Sequence, residues 1–167
     1  MPVSAETFEA ISHKKALYGR LVDKKQLDKF DRVAVPDCSF SFLDTEGNPI
    51  TRDGLTYVFP SLDAFSSHMA IFLTRTQTLH MFGPGDMRYL TPEKNEVEAI
   101  WSMEDQIIWK DENPPIQMRG GGYYYETWTL KHGEWLLKSL RLERTYMKVL
   151  FDKTPDQTPK SVGIPRA

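Results

Sequence analysis

Apolar residues at helical spacing dominate the first part of the chain. A stripe of apolar side chains at steps of three and four predicts an amphipathic helix over residues 5–22. Asp23, with Gln26 three residues later, has the pattern of a capping box, which predicts a short second helix ending at about Ala34. The stripe of the first helix comprises Phe8, Ile11, Leu17, Tyr18, Leu21 and Val22.

A strand and a third helix follow. Apolar side chains alternate from Cys38 to Phe42, which predicts a strand, and the turn-forming residues 44–49 predict that this strand enters a hairpin. Ser61 is expected to cap a third helix that ends near Thr74. The apolar side chains of this helix repeat at Leu62, Phe65, Met69 and Phe72.

Beyond residue 75 the pattern changes to the alternation typical of strands. Five strands are predicted, at 76–82, 87–90, 96–109, 118–130 and 135–147. Segments rich in turn formers separate them, the first being Gly83-Pro84-Gly85, whereas Gly120-Gly121-Gly122 is interpreted as a bend or bulge inside a strand. Helices followed by a strand meander predict an α+β fold, in which a curved, cone-shaped antiparallel sheet wraps around the N-terminal helices and leaves a cavity.

Length and composition narrow the classes of protein. A chain of 167 residues with 40% hydrophobic residues predicts one domain over residues 1–153, and the proline-containing segment 154–167 predicts a flexible tail. A net charge of -2 without long single-sign runs argues against a nucleic-acid or acidic membrane partner. Cys38 is the one cysteine, and no signal peptide or membrane span is visible, so a cytoplasmic location is expected.

Two polar residues on predicted strands are candidates for chemistry. Alternation along 96–109 places Asp105 among apolar neighbours, where an ionised carboxylate needs either a structural partner, such as Arg144, or a functional reason. His80 shares a strand face with Thr78 and Phe82, and a single histidine in that setting is most often hydrogen-bonded or half-exposed.

Two further candidates lie on the first helix or at its end. Asp23 serves either as the helix cap or as a carboxylate facing the cavity, and Tyr18 lies on an apolar stripe, where a buried phenol needs a hydrogen-bond partner. The sequence has no metal-ligand spacing, P-loop, dinucleotide fingerprint or nucleophile elbow, which predicts neither a metal nor a cofactor. Taken singly, each candidate favours structure over catalysis.

Together these residues resemble a known family. The chain resembles the SnoaL-like branch of the nuclear-transport-factor-like superfamily. The resemblance is carried by Tyr18-x4-Asp23, a histidine in the strand after the third helix, the segment 101–105, the run Gly-Gly-Tyr-Tyr-Tyr and the segment 135–144. Within it, the chain looks most like the bile acid 7-alpha-dehydratases and more distantly like the scytalone dehydratases. The resemblance covers about residues 8–150.

The resemblance implies roles for four residues. Asp23 and His80 match the family's catalytic pair, and Tyr18 matches a tyrosine that hydrogen-bonds substrate. Asp105 matches a carboxylate on a strand, and it would donate a hydrogen bond to substrate if it were protonated. Phe42 departs from the family, because both dehydratases have a tyrosine there, and scytalone dehydratases have a second histidine near Ile107. The family also implies a homodimer or homotrimer through the outer face of the sheet, which exposed Trp128 and Trp135 would suit.

The expected activity follows from these roles. We expect a cofactor-independent lyase, catalysing dehydration or a related retro-aldol cleavage or isomerisation of a hydrophobic polycyclic or aromatic hydroxylated substrate through an Asp–His acid/base pair. A polyketide cyclase or isomerase, or a non-catalytic ligand-binding or dimerisation module, remains an alternative. The expected substrate-binding residues are Phe40, Phe42, Tyr57, Phe65, Met69, Trp101, Met103, Tyr123 and Arg144.

Overall fold

A computed structural model describes residues 1–151 apart from 53, 110, 113 and 114, so the tail expected at 154–167 lies outside the described residues. The elements are α1 (Ala5–Asp23), a 3₁₀ helix (Leu27–Arg32), β1 (Ala34–Leu43), β2 (Thr51–Arg52), β3 (Leu55–Thr56), β4 (Val58–Phe59), α2 (Leu62–Thr74), β5 (Thr76–Tyr89), β6 (Glu96–Trp109), β7 (Ile116–Lys131) and β8 (Glu134–Phe151). Within the described part, neither α-helix is long and apolar enough to cross a bilayer.

The two α-helices confirm the predictions from periodicity. The hydroxyl of Ser4 accepts a hydrogen bond from the backbone N–H of Thr7 at 3.2 Å and so caps α1. At the start of α2 the hydroxyl of Ser61 accepts from the N–H of Ala64 at 3.2 Å, as the sequence predicts. Both helices therefore begin where a side-chain oxygen satisfies a free backbone donor.

The predicted second α-helix and its capping box are wrong. The segment forms only a short 3₁₀ helix, and its N-cap Gln26 makes no side-chain capping bond. Asp23 is instead the last residue of α1, and its carboxylate accepts hydrogen bonds from β5. Lys25 then adopts a left-handed φ of 60°, which reverses the chain before a new helix can start.

The large sheet has the strand order β4-β1-β8-β7-β6-β5 and confirms the predicted α+β class. All neighbours are antiparallel except β1 and β8, which run parallel, so the sheet is mixed where a fully antiparallel one was predicted. Both strands begin at the same end, where Ala34 pairs with Leu137. Alternation reports which face a side chain occupies and carries no information on strand direction.

Two glycine segments bend the sheet. Gly83-Pro84-Gly85, predicted as a link between strands, lies inside the single strand β5, where the register with β6 shifts between Phe82 and Gly85. A Cβ on Gly85 would lie 2.7 Å from the Trp101 ring, so only glycine permits this approach. The bulge predicted at 120–122 is confirmed, because the register of β7 with β8 shifts between Gly121 and Gly122.

The hydrophobic core lies between the helices and the inner face of the sheet, and it includes both tryptophans that were expected to be exposed. Trp128 is 0% and Trp135 is 7% exposed, so that expectation is wrong. The indole N–H of Trp128 donates to Glu126 at 2.9 Å on the inner side. The two tryptophans therefore do not support an oligomer through the outer face of the sheet, and that oligomer stays a prediction.

Candidate active site

A cavity of about 230 Å³ lies between α1, α2 and the inner face of the sheet. Its polar lining groups converge from different elements: Tyr18 from α1, His80 from β5, Asp105 from β6 and Arg144 from β8. Most of the remaining lining is apolar and includes Val22, Phe42, Met69, Phe72, Ile107 and Met118. An apolar hollow with a few convergent polar groups is the usual form of a small-molecule site.

Asp23 and His80 lie in direct contact. The Nδ1 of His80 is 2.8 Å from Oδ1 of Asp23, and the backbone N–H of His80 donates to Oδ2 at 3.0 Å. The hydroxyl of Thr78, two residues earlier on the same strand face, donates to Oδ1 at 2.9 Å. The end of α1 and strand β5 thus hold the carboxylate with three hydrogen bonds.

These hydrogen bonds set the charge of Asp23. Burial alone would raise the pKa of its carboxyl group, but the bonds and charge of His80 and the bond from Thr78 outweigh burial, and the pKa lies below its ordinary value. Asp23 is therefore ionised and accepts from Nδ1–H of His80. That arrangement leaves Nε2 of a neutral His80 with a lone pair on the side of the ring away from Asp23.

Asp105 forms a bidentate ion pair with Arg144. Nη1 and Nη2 of the guanidinium donate to the two carboxylate oxygens at 2.7 and 2.6 Å. Of the two hypotheses for Asp105, the structure shows the ion pair with Arg144. Oδ2 of Asp105 also lies 3.9 Å from Nε2 of His80, so a protonated imidazole has a carboxylate on each side.

The Nε of Arg144 is buried and has no hydrogen-bond partner among the described residues. Burial lowers the pKa of the Arg144 guanidinium less than the hydrogen bonds and charge of Asp105 raise it, so the group stays a cation. A buried donor without a partner carries a desolvation cost that a bound oxygen atom would offset.

Tyr18 faces the cavity from α1 beside Tyr124 of β7. Burial raises the pKa of Tyr18 well above its usual range, and the hydrogen bond and charge of Tyr124 raise it further. The pKa of Tyr124 is raised as well, again mainly by burial. Both phenols are therefore neutral and can donate hydrogen bonds.

Only part of the predicted lining reaches the cavity. Phe42, Tyr57, Met69 and Arg144 line it, whereas Phe40, Phe65, Trp101, Met103 and Tyr123 do not. The rings of Phe40 and Phe65 stack on each other at 4.0 Å in the core. The predicted lining is therefore corrected at those five positions.

The other three misplaced residues have clear partners or positions. The indole of Trp101 donates to the buried Glu126 at 2.8 Å. The sulfur of Met103 lies 3.8 Å from Nη1 of Arg144, behind the ion pair. Tyr123 is exposed on the outer face of β7, because strand alternation sends its neighbour Tyr124 inward.

A second buried polar cluster was missed by the sequence reasoning. Lys15 of α1 forms a salt bridge with Glu126 of β7, and both are buried. The Lys15 ammonium lies 3.7 Å from the ring centroid of Tyr124 and 4.3 Å from that of Phe82. Two patterns in the sequence indicate this cluster. Lys15 lies on the apolar stripe of α1 at helical spacing from Ile11 and Tyr18, and strand alternation places Glu126 on the same face of β7 as Tyr124.

The histidine, cysteine and carboxylate side chains do not gather into a metal site in the described residues. In the part of the chain that the structure describes, no three of them are gathered closely enough to hold a metal ion. Cys38 is buried in the core, and burial raises the pKa of its thiol, which keeps it protonated.

Comparison with known proteins agrees with the fold. A family model described as SnoaL-like domain matches residues 3–141. A protein of Gibberella zeae named probable cyclase FGR4 is 34% identical over 150 residues, which cover 90% of this chain and 99% of that protein.

Two solved structures show the same fold at low identity. The Kfla4162 protein from Kribbella flavida has a TM-score of 0.71 at 17% identity, with 87% of this chain and 95% of that chain covered. Hexachlorocyclohexane dehydrochlorinase LinA-type3 from Novosphingobium barchaimii has a TM-score of 0.67 at 12% identity, with 92% and 96% covered. The resemblance found in the residues is confirmed, and this chain belongs to the SnoaL-like domain family.

Proposed function

We propose that this protein is a cofactor-independent acid–base enzyme that eliminates water from a hydrophobic, hydroxylated aromatic or polycyclic substrate. One observation carries the proposal. The Asp23 carboxylate lies 2.8 Å from Nδ1 of His80, and the ring of His80 lines an apolar cavity. A histidine oriented by a carboxylate is suited to take a proton and return it without a further group.

In the proposed first step, Nε2 of His80 removes a proton from a carbon next to the substrate's carbonyl group. The electron pair of the broken C–H bond moves into an enolate, whose oxygen becomes negative. We propose that the Nε–H of Arg144 and the neutral phenol of Tyr18 donate hydrogen bonds to that oxygen. The imidazolium formed on His80 is stabilised by Asp23 and Asp105.

In the second step, the enolate re-forms the carbonyl group and a carbon–carbon double bond as the hydroxyl group on the next carbon departs. His80 returns the proton from Nε2 to that hydroxyl, which leaves as water. His80 and the carboxylates thus end in their starting states, so the cycle closes without an outside reactant. One such acid–base group contributes roughly 10²–10⁴-fold to a rate.

The ion pair gives Asp105 a role different from the donor that the family resemblance implies. Because both of its oxygens accept from Arg144, Asp105 holds the guanidinium in place beside the substrate oxygen. Its second effect is electrostatic, since Oδ2 lies 3.9 Å from the nitrogen that gains the proton. Asp105 thereby acts on substrate through Arg144 and His80.

A second candidate function, aldol-type ring closure, is favoured by the name of the Gibberella zeae relative, a probable cyclase that is 34% identical to this chain. Ring closure begins with the same proton removal by His80 and the same enolate. It differs in the second step, where the enolate carbon attacks a carbonyl group of the same molecule. The oxygen of that carbonyl becomes an alkoxide and takes back the proton from Nε2 of His80. The reaction products therefore distinguish the two functions.

The first test uses 3-hydroxy-1-tetralone, a two-ring ketone whose dehydration gives 1-naphthol. We expect the protein to accelerate this loss of water and His80→Gln to lower the rate roughly 10²–10⁴-fold. His13→Gln, at an exposed histidine of α1, is the matched control and should keep the full rate.

Three outcomes separate the hypotheses. An unchanged rate in His80→Gln would retire the proposed mechanism. A protein that does not exceed the uncatalysed rate on this ketone or on related hydroxyketones would support a non-catalytic binding module. Ring closure without loss of mass from a linear diketone, observed by mass spectrometry, would favour the cyclase.

A further inference from the structure

The cavity has two ends that differ in burial. At the inner end, the side chains of His80, Asp105 and Arg144 are 9%, 2% and 7% exposed. At the outer end, Thr51 and Arg52 of the short strand β2 line the cavity and are exposed to solvent. A molecule that fills the cavity therefore has one buried end and one end at the rim.

Arg52 lies on an aromatic surface at this rim. Its guanidinium carbon is 4.9 Å from the ring centroid of Trp109 and 6.0 Å from that of Phe72, which also lines the cavity. Contacts of this kind hold a guanidinium by its flat face. The N–H donors at its edge stay available for a planar anion such as a carboxylate.

Four other exposed arginines are neutralised by neighbours, whereas exposed Arg20 and Arg32, which do not line the cavity, resemble Arg52 in having no ion pair among the described residues. Arg75, Arg88, Arg119 and Arg141 each lie within ion-pair distance of a carboxylate. Among the residues that the structure describes, no carboxylate lies within that distance of Arg52. Its charge is positioned by aromatic rings at the opening of the cavity, and no described carboxylate neutralises it.

The charges at the two ends determine the orientation of an anionic ligand. The inner end holds the carboxylates of Asp23 and Asp105 against the single guanidinium of Arg144. At the rim, the guanidinium of Arg52 attracts an anionic group of the ligand, away from the two inner carboxylates. A hydrophobic acid bound in this orientation has its acid group at Arg52 and its other end toward His80.

We infer that Arg52 determines specificity by binding a carboxylate of the substrate, which makes aromatic carboxylic acids the substrate class. This inference rests on the proposed function in one respect only, namely that the end of the substrate at His80 is the end that reacts. Its own claim concerns binding at the rim.

The test measures binding by isothermal titration calorimetry with two probes, 6-hydroxy-2-naphthoate and the neutral 2-naphthol. We expect the protein to bind the naphthoate roughly fivefold more tightly than the naphthol, which is the size of an exposed ion pair. Arg52→Gln should remove this preference and leave the affinity for 2-naphthol unchanged. Arg141→Gln is the matched control, because its guanidinium lies at the same 4.9 Å from a ring, that of Tyr125, but does not line the cavity.

The inference is overturned by equal affinities of the two probes for the unaltered protein, by an equal loss of both in Arg52→Gln, or by no binding of the naphthoate. Such a result leaves the proposed function standing, because the dehydration of the tetralone does not involve Arg52. Conversely, an unchanged rate in His80→Gln would remove the proposed function and leave an Arg52-dependent preference for the naphthoate intact.

Discussion

Among the pairs of a carboxylate and a basic side chain that join α1 to the sheet, two differ in what they leave free. Asp23 at the end of α1 pairs with His80 of β5, and Lys15 in its middle pairs with Glu126 of β7. Glu126 also accepts from the indoles of Trp101 and Trp128, so both of its oxygens are occupied. Neither Lys15 nor Glu126 lines the cavity, whereas His80 does.

The two pairs have similar chemistry, but the Lys15–Glu126 pair stabilises the fold and the Asp23–His80 pair is available for a reaction. Burial lowers the pKa of Lys15, and the charge and hydrogen bond of Glu126 oppose this shift. The enclosed pair has satisfied its donors and acceptors within the core, so it contributes to the stability of the fold. The Asp23–His80 pair uses only Nδ1, which leaves one nitrogen for a substrate.

The largest effect on stability is expected from breaking the enclosed pair. Lys15→Met should lower the free energy of unfolding by about 3–5 kcal/mol, because it leaves the Glu126 charge buried without its partner. Chemical denaturation measures this change. The double variant Lys15→Met/Glu126→Gln should recover part of the loss, since a neutral amide can still accept from the two indoles.

The control for this prediction is an exposed pair of the same types. Lys138→Met removes the partner of Glu96, where the lysine side chain is 50% exposed, and should cost less than about 1 kcal/mol. Equal losses in Lys15→Met and Lys138→Met would show that the enclosed pair has no special role in the core.

Arg144 has nitrogens that are occupied by a structural contact and one that is available to a ligand. Nη1 and Nη2 donate to Asp105, and Nε has no partner among the described residues. Arg144→Lys keeps the positive charge but removes the Nε–H donor and the bidentate geometry. We expect the rate of tetralone dehydration to fall roughly 10²–10³-fold, as for loss of one donor to a developing oxyanion. Arg141→Lys on the outer face should leave the rate unchanged. An unchanged rate in Arg144→Lys would assign Arg144 to structure alone.

The smallest effect concerns pH and Asp23. Because its pKa is lower in the folded protein, the ionised carboxylate stabilises the fold at pH values above about 4, the ordinary aspartate range, and this contribution is lost as the pH falls through the folded pKa. The difference in unfolding free energy between the protein and Asp23→Asn should therefore shrink as the pH falls below about 4.

Urea denaturation of both proteins across this range measures the pH dependence. Asp28→Asn, at an exposed residue of the 3₁₀ helix, is the matched control. A difference that fails to shrink below about pH 4 would contradict the hydrogen bonds assigned to Asp23.

The fold could be predicted from sequence wherever a pattern is local. β6 has the predicted bounds, and alternation correctly placed Asp105 on the buried face with Trp101 and Met103. Helical spacing and the hydroxyl of Ser61 similarly located α2. In these cases the residues that determine the structure are neighbours along the chain.

Features that depend on distant residues were not predictable in the same way. Asp23 resembles a helix cap until β5 brings His80 and Thr78, which are 57 and 55 residues away, within hydrogen-bond distance of its carboxylate. The parallel pairing of β1 with β8 leaves no mark on alternation. Among the three tyrosines of β7, the inward Tyr124 required counting back by twos from Trp128.

The proposed mechanism depends most on which nitrogen of a neutral His80 carries the proton. Nitrogen NMR of the ¹⁵N-labelled protein distinguishes the two tautomers, and Asp23→Ala, which removes the acceptor, shows whether the carboxylate controls the choice. We expect the proton on Nδ1, facing Asp23, with the lone pair of Nε2 directed away from that carboxylate. A proton on Nε2 of the neutral ring, or the same tautomer with and without the Asp23 carboxylate, would contradict the proposed base.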